Sequence, residues 1–183
     1  FTMIPFTLTR KNVIQWILFG LVEFCRLAIA WLRRAPTRQL DVARTVEQRA
    51  AFGDSKSVLQ VMDQFARDQR FLMNVGVEKG VVLRQAVVRR APRRALELGA
   101  YCGYSAVLIG AELRKVGGTL VSLEVDSGNA AVARRVVRHA GLDAVVDVRV
   151  TPAAEGIREL RGQFDLVFID HWKDDYLADL KRI

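Results

Sequence analysis

Cysteine and histidine are scarce in this sequence, two of each in 183 residues, and their scarcity removes whole classes of protein. Cys25 and Cys102 cannot build a disulfide framework, and no Cys/His group has zinc-ligand spacing. That usage fits a reducing compartment, so the chain is expected in the cytoplasm or on a membrane face looking onto it. Internal repeats and low-complexity tracts are absent too. Apolar residues are not lacking: 51% of the chain is hydrophobic and 26% charged. A real core is affordable, disorder and collagen-like repeats are excluded, and the length suits one domain. The chain starts at Phe1 without a Met and stops at Ile183 inside an apparent helix, so it reads as a piece cut at both ends.

The net charge of +8 is uneven. Residues 1–50 hold 8 Lys and Arg against 3 Asp and Glu, leaving 20 against 17 for the rest. The basic excess is therefore N-terminal, where a membrane surface is the expected partner and nucleic acid is not. Residues 12–34 are rich in Ile, Leu, Val, Phe and Trp. On a helical wheel Asn12, Gln15, Glu23, Arg26, Arg33 and Arg34 fall within an arc of roughly 100°. A narrow polar stripe on a wide apolar face suits an interfacial helix, a span packed on another helix, or a helix packed on its own domain. No small-residue cleavage site follows, which argues against a signal peptide.

Ala35-Pro36-Thr37 breaks the chain, and residues 1–50 are expected to form an N-terminal segment distinct from a domain over 51–183. Residues 38–51 are polar and helical in pattern, with Gly53-Asp54-Ser55 as turn and N-cap. Helical spacing marks 55–70 and 77–90, on either side of a loop at Asn74-Val75-Gly76. Strand and helix then alternate: Ala95–Leu98, a glycine loop Gly99–Gly103, a helix to about Lys115, Thr119–Leu123, a helix over 128–140 capped by Gly141, Val145–Val150, a helix over 153–161, and Phe164–Ile169 as an apolar strand. This pattern predicts an α/β fold with a parallel sheet covered by helices.

Ligands in such folds bind at the carboxyl ends of the strands. The first cluster there is Glu97-Leu98-Gly99-Ala100-Tyr101-Cys102-Gly103-Tyr104-Ser105, where Gly99 would permit a close backbone approach and Gly103 would open a helix. Its GxxxG spacing is not a pyrophosphate cradle, and Glu97 argues against a phosphate ligand. Second, Glu124 ends the next strand, placed to accept hydrogen bonds from both ribose hydroxyls, or else simply solvated. Together they point to a nucleoside without phosphate, of which S-adenosylmethionine is one. Third comes Asp170-His171-Trp172-Lys173. A strand-end carboxylate can hold Mg²⁺ or cap a helix, Lys173 can serve as a base or as a solvated amine, and Trp172 can cover an aromatic ring. Cys102 reads as a packed thiol and His139 as a surface group stabilised by a helix C-terminus, while the five arginines from Arg84 to Arg94 read as a solvated face.

ELGAYCGYSAV (97–107), FIDHWKDDYL (168–177) and MNVGVEKG (73–80) resemble the catechol O-methyltransferases, in the same order and spacing over roughly residues 52–180. The resemblance implies a Rossmann-like domain that uses S-adenosylmethionine and Mg²⁺ to methylate one hydroxyl of a catechol. It implies that Val75, Glu97, Gly99, Tyr101, Ser105, Glu124, Val125 and His171 line the cofactor site. It makes Asp170 a metal ligand and Lys173 the general base. Phe71, Met73 and Trp172 become the walls around the substrate ring, with Lys173 beside it. Phe71 stands where the family has tryptophan, and Ala153-Ala154 where it has Ser-Gln near the adenine. The family's other metal ligands, an Asp-Asn pair, and a later substrate-binding Glu would fall beyond Ile183. A different phenolic substrate, or a membrane-attached protein that keeps the fold without catalysis, are the alternatives.

Overall fold

The computed structural model describes residues 20–25 and 37–183. The chain divides between Thr37 and Arg38. In the first unit, residues 20–25 are helical; the rest of the apolar helix expected over 12–34 lies outside the described residues. No helix among the described residues is long and apolar enough to cross a membrane.

The second unit begins with helix α1 (Arg38–Arg49), α2 (Ser55–Asp68) and α3 (Gly76–Arg90). Strand β1 (Arg94–Leu98), α4 (Tyr104–Val116), β2 (Thr119–Glu124), α5 (Ser127–His139), β3 (Val146–Val150), α6 (Ala153–Glu159) and β4 (Leu166–Ile169) follow, then a 3₁₀ turn (Lys173–Asp175) and α7 (Tyr176–Leu180). Helix α1 was expected on the far side of a boundary at residue 50. Its mainly polar sequence hides Val42, Ala43 and Val46, which are fully buried in the core of this second unit. Asp54 caps α2 by accepting the Lys56 and Ser57 amides, a common N-cap device.

All pairings in the sheet are parallel, in the order β3-β2-β1-β4. The chain thus builds outward from β1 through β2 to β3, then returns to lay β4 on the other side of β1. That reversal of direction opens a crevice at the carboxyl ends of β1 and β4. Side chains alternate between the faces with period two. Ala95, Leu120, Val146, Val148, Leu166 and Phe168 join the larger core packed with α1–α5. Leu96, Leu98 and Leu123 pack with Ile157, Leu160, Val167 and Ile169 on the opposite face. Glu97 and Ser122, cross-strand partners in register, lie on the first face.

Strand β4 is shorter than the predicted Phe164–Ile169, because that run contains Asp165. Its carboxylate accepts the Arg93 and Arg94 amides at 2.8 and 3.0 Å, tying the loop to the start of β1 instead of extending the strand. The apolar run is that of an interior strand whose second edge is expected to find no partner within this chain, and among the described residues β4 pairs with β1 alone, its four residues half-buried. Two surface readings gain specific partners as well. His139 Nε2 lies 2.9 Å from the Ala50 carbonyl oxygen and its ring meets Phe52 edge-on, so it fastens the α1–α2 loop to α5. Arg90, Arg93 and Arg94 donate to the carbonyls of Asp165, Val116, Arg161 and Gln163, so the arginine run, still largely exposed as expected, also ties the end of α4 and the α6–β4 loop to the start of β1.

Candidate functional site

Backbone hydrogen bonds bring the strand ends to one level. The Gly99 amide donates to Leu123 O, Asp170 to Leu98 O, and Thr151 to Glu124 O, all within 3.0 Å. Gly99 has φ +99°, and a Cβ there would lie 2.7 Å from the Asp170 carbonyl oxygen. The expectation was an approach to a ligand. The approach observed is between the β1 and β4 loops, which sets Asp170 and His171 beside the glycine loop. Gly103, at φ +84°, opens α4 where a side chain would strike the Ala133 backbone.

Between these glycines Tyr101 sits at φ +45°, unusual for a non-glycine residue and costing of order 1–3 kcal/mol. Glu124 holds it there. Its Oε2 accepts the Tyr101 amide at 2.8 Å and its Oε1 accepts the Asp126 amide at 3.0 Å. Each oxygen keeps a lone pair for another donor. Glu97 is fully buried; Ser122 Oγ donates to its Oε2, while its Oε1 has no partner. Burial pushes the Glu97 carboxyl up to about 7 against the pull of the Ser105 and Ser122 hydroxyls. Burial also raises Asp170, with Lys79 and His171 drawing it back.

A small pocket lies at this crossing, lined by Asn74, Val75, Gly99, Tyr101, Ser105 and Asp170, with Met73 at its rim. The sequence patterns left Asn74 as a loop residue, yet its Nδ2 is buried without a partner. Cys102 is buried, its thiol pushed up to about 12 by burial, which fits packing and not nucleophilic chemistry. His171 Nε2 is 2.7 Å from Asp179 Oδ2.

Other expected residues are more open. Phe71, Met73, Val125 and Trp172 are exposed, Trp172 at 77%, and Lys173 is exposed at the start of the 3₁₀ turn. Met73 edges the pocket, and the others sit on segments beside it without closing over it. Among the described residues, no three or more His, Cys, Asp or Glu side chains gather as a metal site. Asp179 and Lys79 carried no signal as single residues; Asp179 would have been found by its spacing from Tyr176 and Arg182.

Residues 47–183 match the family model described as O-methyltransferase. The chain belongs to that family. It is similar to a catechol O-methyltransferase B of Danio rerio, 38% identical over 183 residues, with 91% of this chain and 69% of the relative covered. A catechol O-methyltransferase of Mus musculus is 34% identical over 168 residues, with 89% and 63% covered. This chain therefore spans roughly two thirds of those relatives' lengths. Among solved structures, an O-methyltransferase from Bacillus cereus in complex with SAH superposes with a TM-score of 0.60 at 29% identity, covering 70% of this chain and 58% of that one.

Proposed function

We propose that this chain binds S-adenosylmethionine at the carboxyl ends of β1, β2 and β4 and serves methyl transfer to a hydroxyl of a catechol. The carrying observation is a pair of carboxylates at the ends of β1 and β2, beside the glycine loop that lines the pocket. Glu124 is fixed by two loop amides with lone pairs to spare, and Glu97 holds a buried oxygen with no partner. Glu124 would accept the ribose hydroxyls, and Glu97 Oε1 and Ser105 would meet the polar amino-acid end. Val75, Gly99 and Tyr101 would shape the floor, with Val125 and His171 at the nucleoside end. When bound, S-adenosylmethionine supplies an electrophilic sulfonium methyl group. Lys173, free to move at the surface, would take the proton of the attacking hydroxyl. Trp172, Phe71 and Met73 would orient the ring and thin the water around it.

Magnesium fits these residues poorly, since it is held by several oxygens and Asp170 offers one carboxylate among the described residues. Mg²⁺ assistance rests on the family resemblance. The exposed walls also define no closed slot, so a different phenol is the second reading. The test is titration calorimetry with S-adenosylhomocysteine, then methyl transfer to a panel of catechols and simple phenols with and without a chelator. Binding plus turnover that K173M abolishes without loss of affinity supports the proposal. Absence of binding overturns it, and turnover of monophenols alone selects the second reading.

A further inference from the structure

After His171 the chain turns back through the 3₁₀ turn into α7, and Tyr176, Asp179 and Arg182 follow at intervals of three. That interval places successive side chains on one face of a helical turn. The face grips His171. The Tyr176 ring stacks on the imidazole at 5.4 Å and 21°. Asp179, 3% exposed, meets Nε2 at 2.7 Å, and Arg182 Nη1 donates to the other Asp179 oxygen at 2.8 Å. A carboxylate paired with arginine has only acceptor sites, so the proton in the bond to His171 belongs to Nε2. In the neutral ring Nδ1 is then a bare acceptor, and Nδ1 is buried with no partner.

We propose that Asp179 is a positioning residue, locking His171 with Nε2 protonated so that Nδ1 accepts a hydrogen bond from the bound nucleoside. The hydrogen bond made by one ring nitrogen decides the state of the other. The occupant must bring an N–H or O–H group; ribose hydroxyls and an adenine amine do so. The backbone of Asp170 and His171 abuts Gly99, which lines the pocket together with Asp170, so a nucleoside seated there lies next to the residue that carries this ring. This inference rests on the S-adenosylmethionine reading, and it adds a residue that neither contacts the cofactor nor takes part in the chemistry.

The chain's two histidines make long-range ¹⁵N–¹H spectroscopy of the imidazoles decisive, with H171Q assigning the signals. Without ligand, His171 should show a protonated Nε2 and a bare Nδ1. S-adenosylhomocysteine should then move the Nδ1 resonance upfield, as expected for a lone pair that gains a donor. In D179N the side-chain amide can donate as well as accept, so a tautomer mixture and about a fivefold loss of affinity should follow. If D179N does not fold, the wild-type spectra still decide. A proton on Nδ1, an Nδ1 signal indifferent to bound ligand, or a D179N protein with unchanged tautomer and affinity would overturn the proposal. Failure of wild-type protein to bind S-adenosylhomocysteine would overturn the cofactor reading and this role with it. A wrong tautomer with normal binding removes only the role of Asp179.

Discussion

The amide of Tyr101 donates to Glu124 Oε2 at 2.8 Å, and this bond holds a residue with φ +45° at the mouth of the pocket. Glu124 also accepts the Asp126 amide through its other oxygen. A glutamine retains one acceptor oxygen and turns an N–H₂ toward the second donor. One loop amide would lose its partner, at a cost of about 1–3 kcal/mol. E124Q should therefore lower the urea midpoint and weaken S-adenosylhomocysteine about tenfold or more in calorimetry. A lower midpoint with unchanged affinity would mean that the carboxylate serves the loop alone.

Gly99 and Gly53 separate backbone strain from steric contact. Both have positive φ, +99° and +80°, but a Cβ at Gly53 meets nothing within 4 Å whereas one at Gly99 meets the Asp170 backbone. Each alanine incurs the left-handed penalty of about 1–2 kcal/mol. Only G99A must also move a main-chain carbonyl, and overpacking of that kind adds about 1–3 kcal/mol. Chemical denaturation should rank G99A below G53A by that margin. Equal losses would show that the two loops part easily.

The strand–helix alternation was legible because apolar runs and glycine turns are local signals, and the carboxyl-end clusters followed from it. Four features were not. Asp165 ended β4 early because its side chain found the Arg93 and Arg94 amides, a contact over seventy residues away. Helix α1 joined the domain through three apolar residues inside a polar stretch. His139 was read from its helix end, while its partners lie on the α1–α2 loop. Gly99 reads from sequence as a point of close approach to a ligand, and only the sheet order reveals that the Asp170 backbone comes up against it.

Membrane attachment through residues 12–34 is a separate expectation. Leu21, Val22 and Phe24, within the described residues 20–25, are at least half exposed. The flanking Arg10, Lys11, Arg33 and Arg34 suit anionic head groups. The full chain should float with anionic liposomes, and a chain starting at Thr37 should stay behind. The cut belongs at Thr37, since removing α1 would strip Val42, Ala43 and Val46 from the core. If both chains remain in the soluble fraction, the apolar segment packs against protein instead.

Glu97 should give the domain a stability that declines with pH. Its ordinary value is 4.5, and burial raises it to about 7 in the fold. Between those values the folded state binds more protons than the unfolded state, so stability falls as pH rises. The contribution is complete below about 4.5 and is lost on passing through 7, up to about 3 kcal/mol for a shift of this size. Glu47, Glu112 and Asp165 are shifted downward, so their opposing contributions fall below this window. The variant E97Q keeps both histidines, and its stability should therefore lack the Glu97 component between pH 5 and 8. Ligand binding should carry the opposite sign. An ammonium group brought to the unpartnered Oε1 favours the ionised carboxyl, so S-adenosylhomocysteine affinity should rise with pH across the same interval in the wild type and less in E97Q. Parallel stability curves for the two proteins would show that Glu97 does not titrate near neutrality. A wild-type affinity with no more pH dependence than that of E97Q would place the ammonium elsewhere in the pocket.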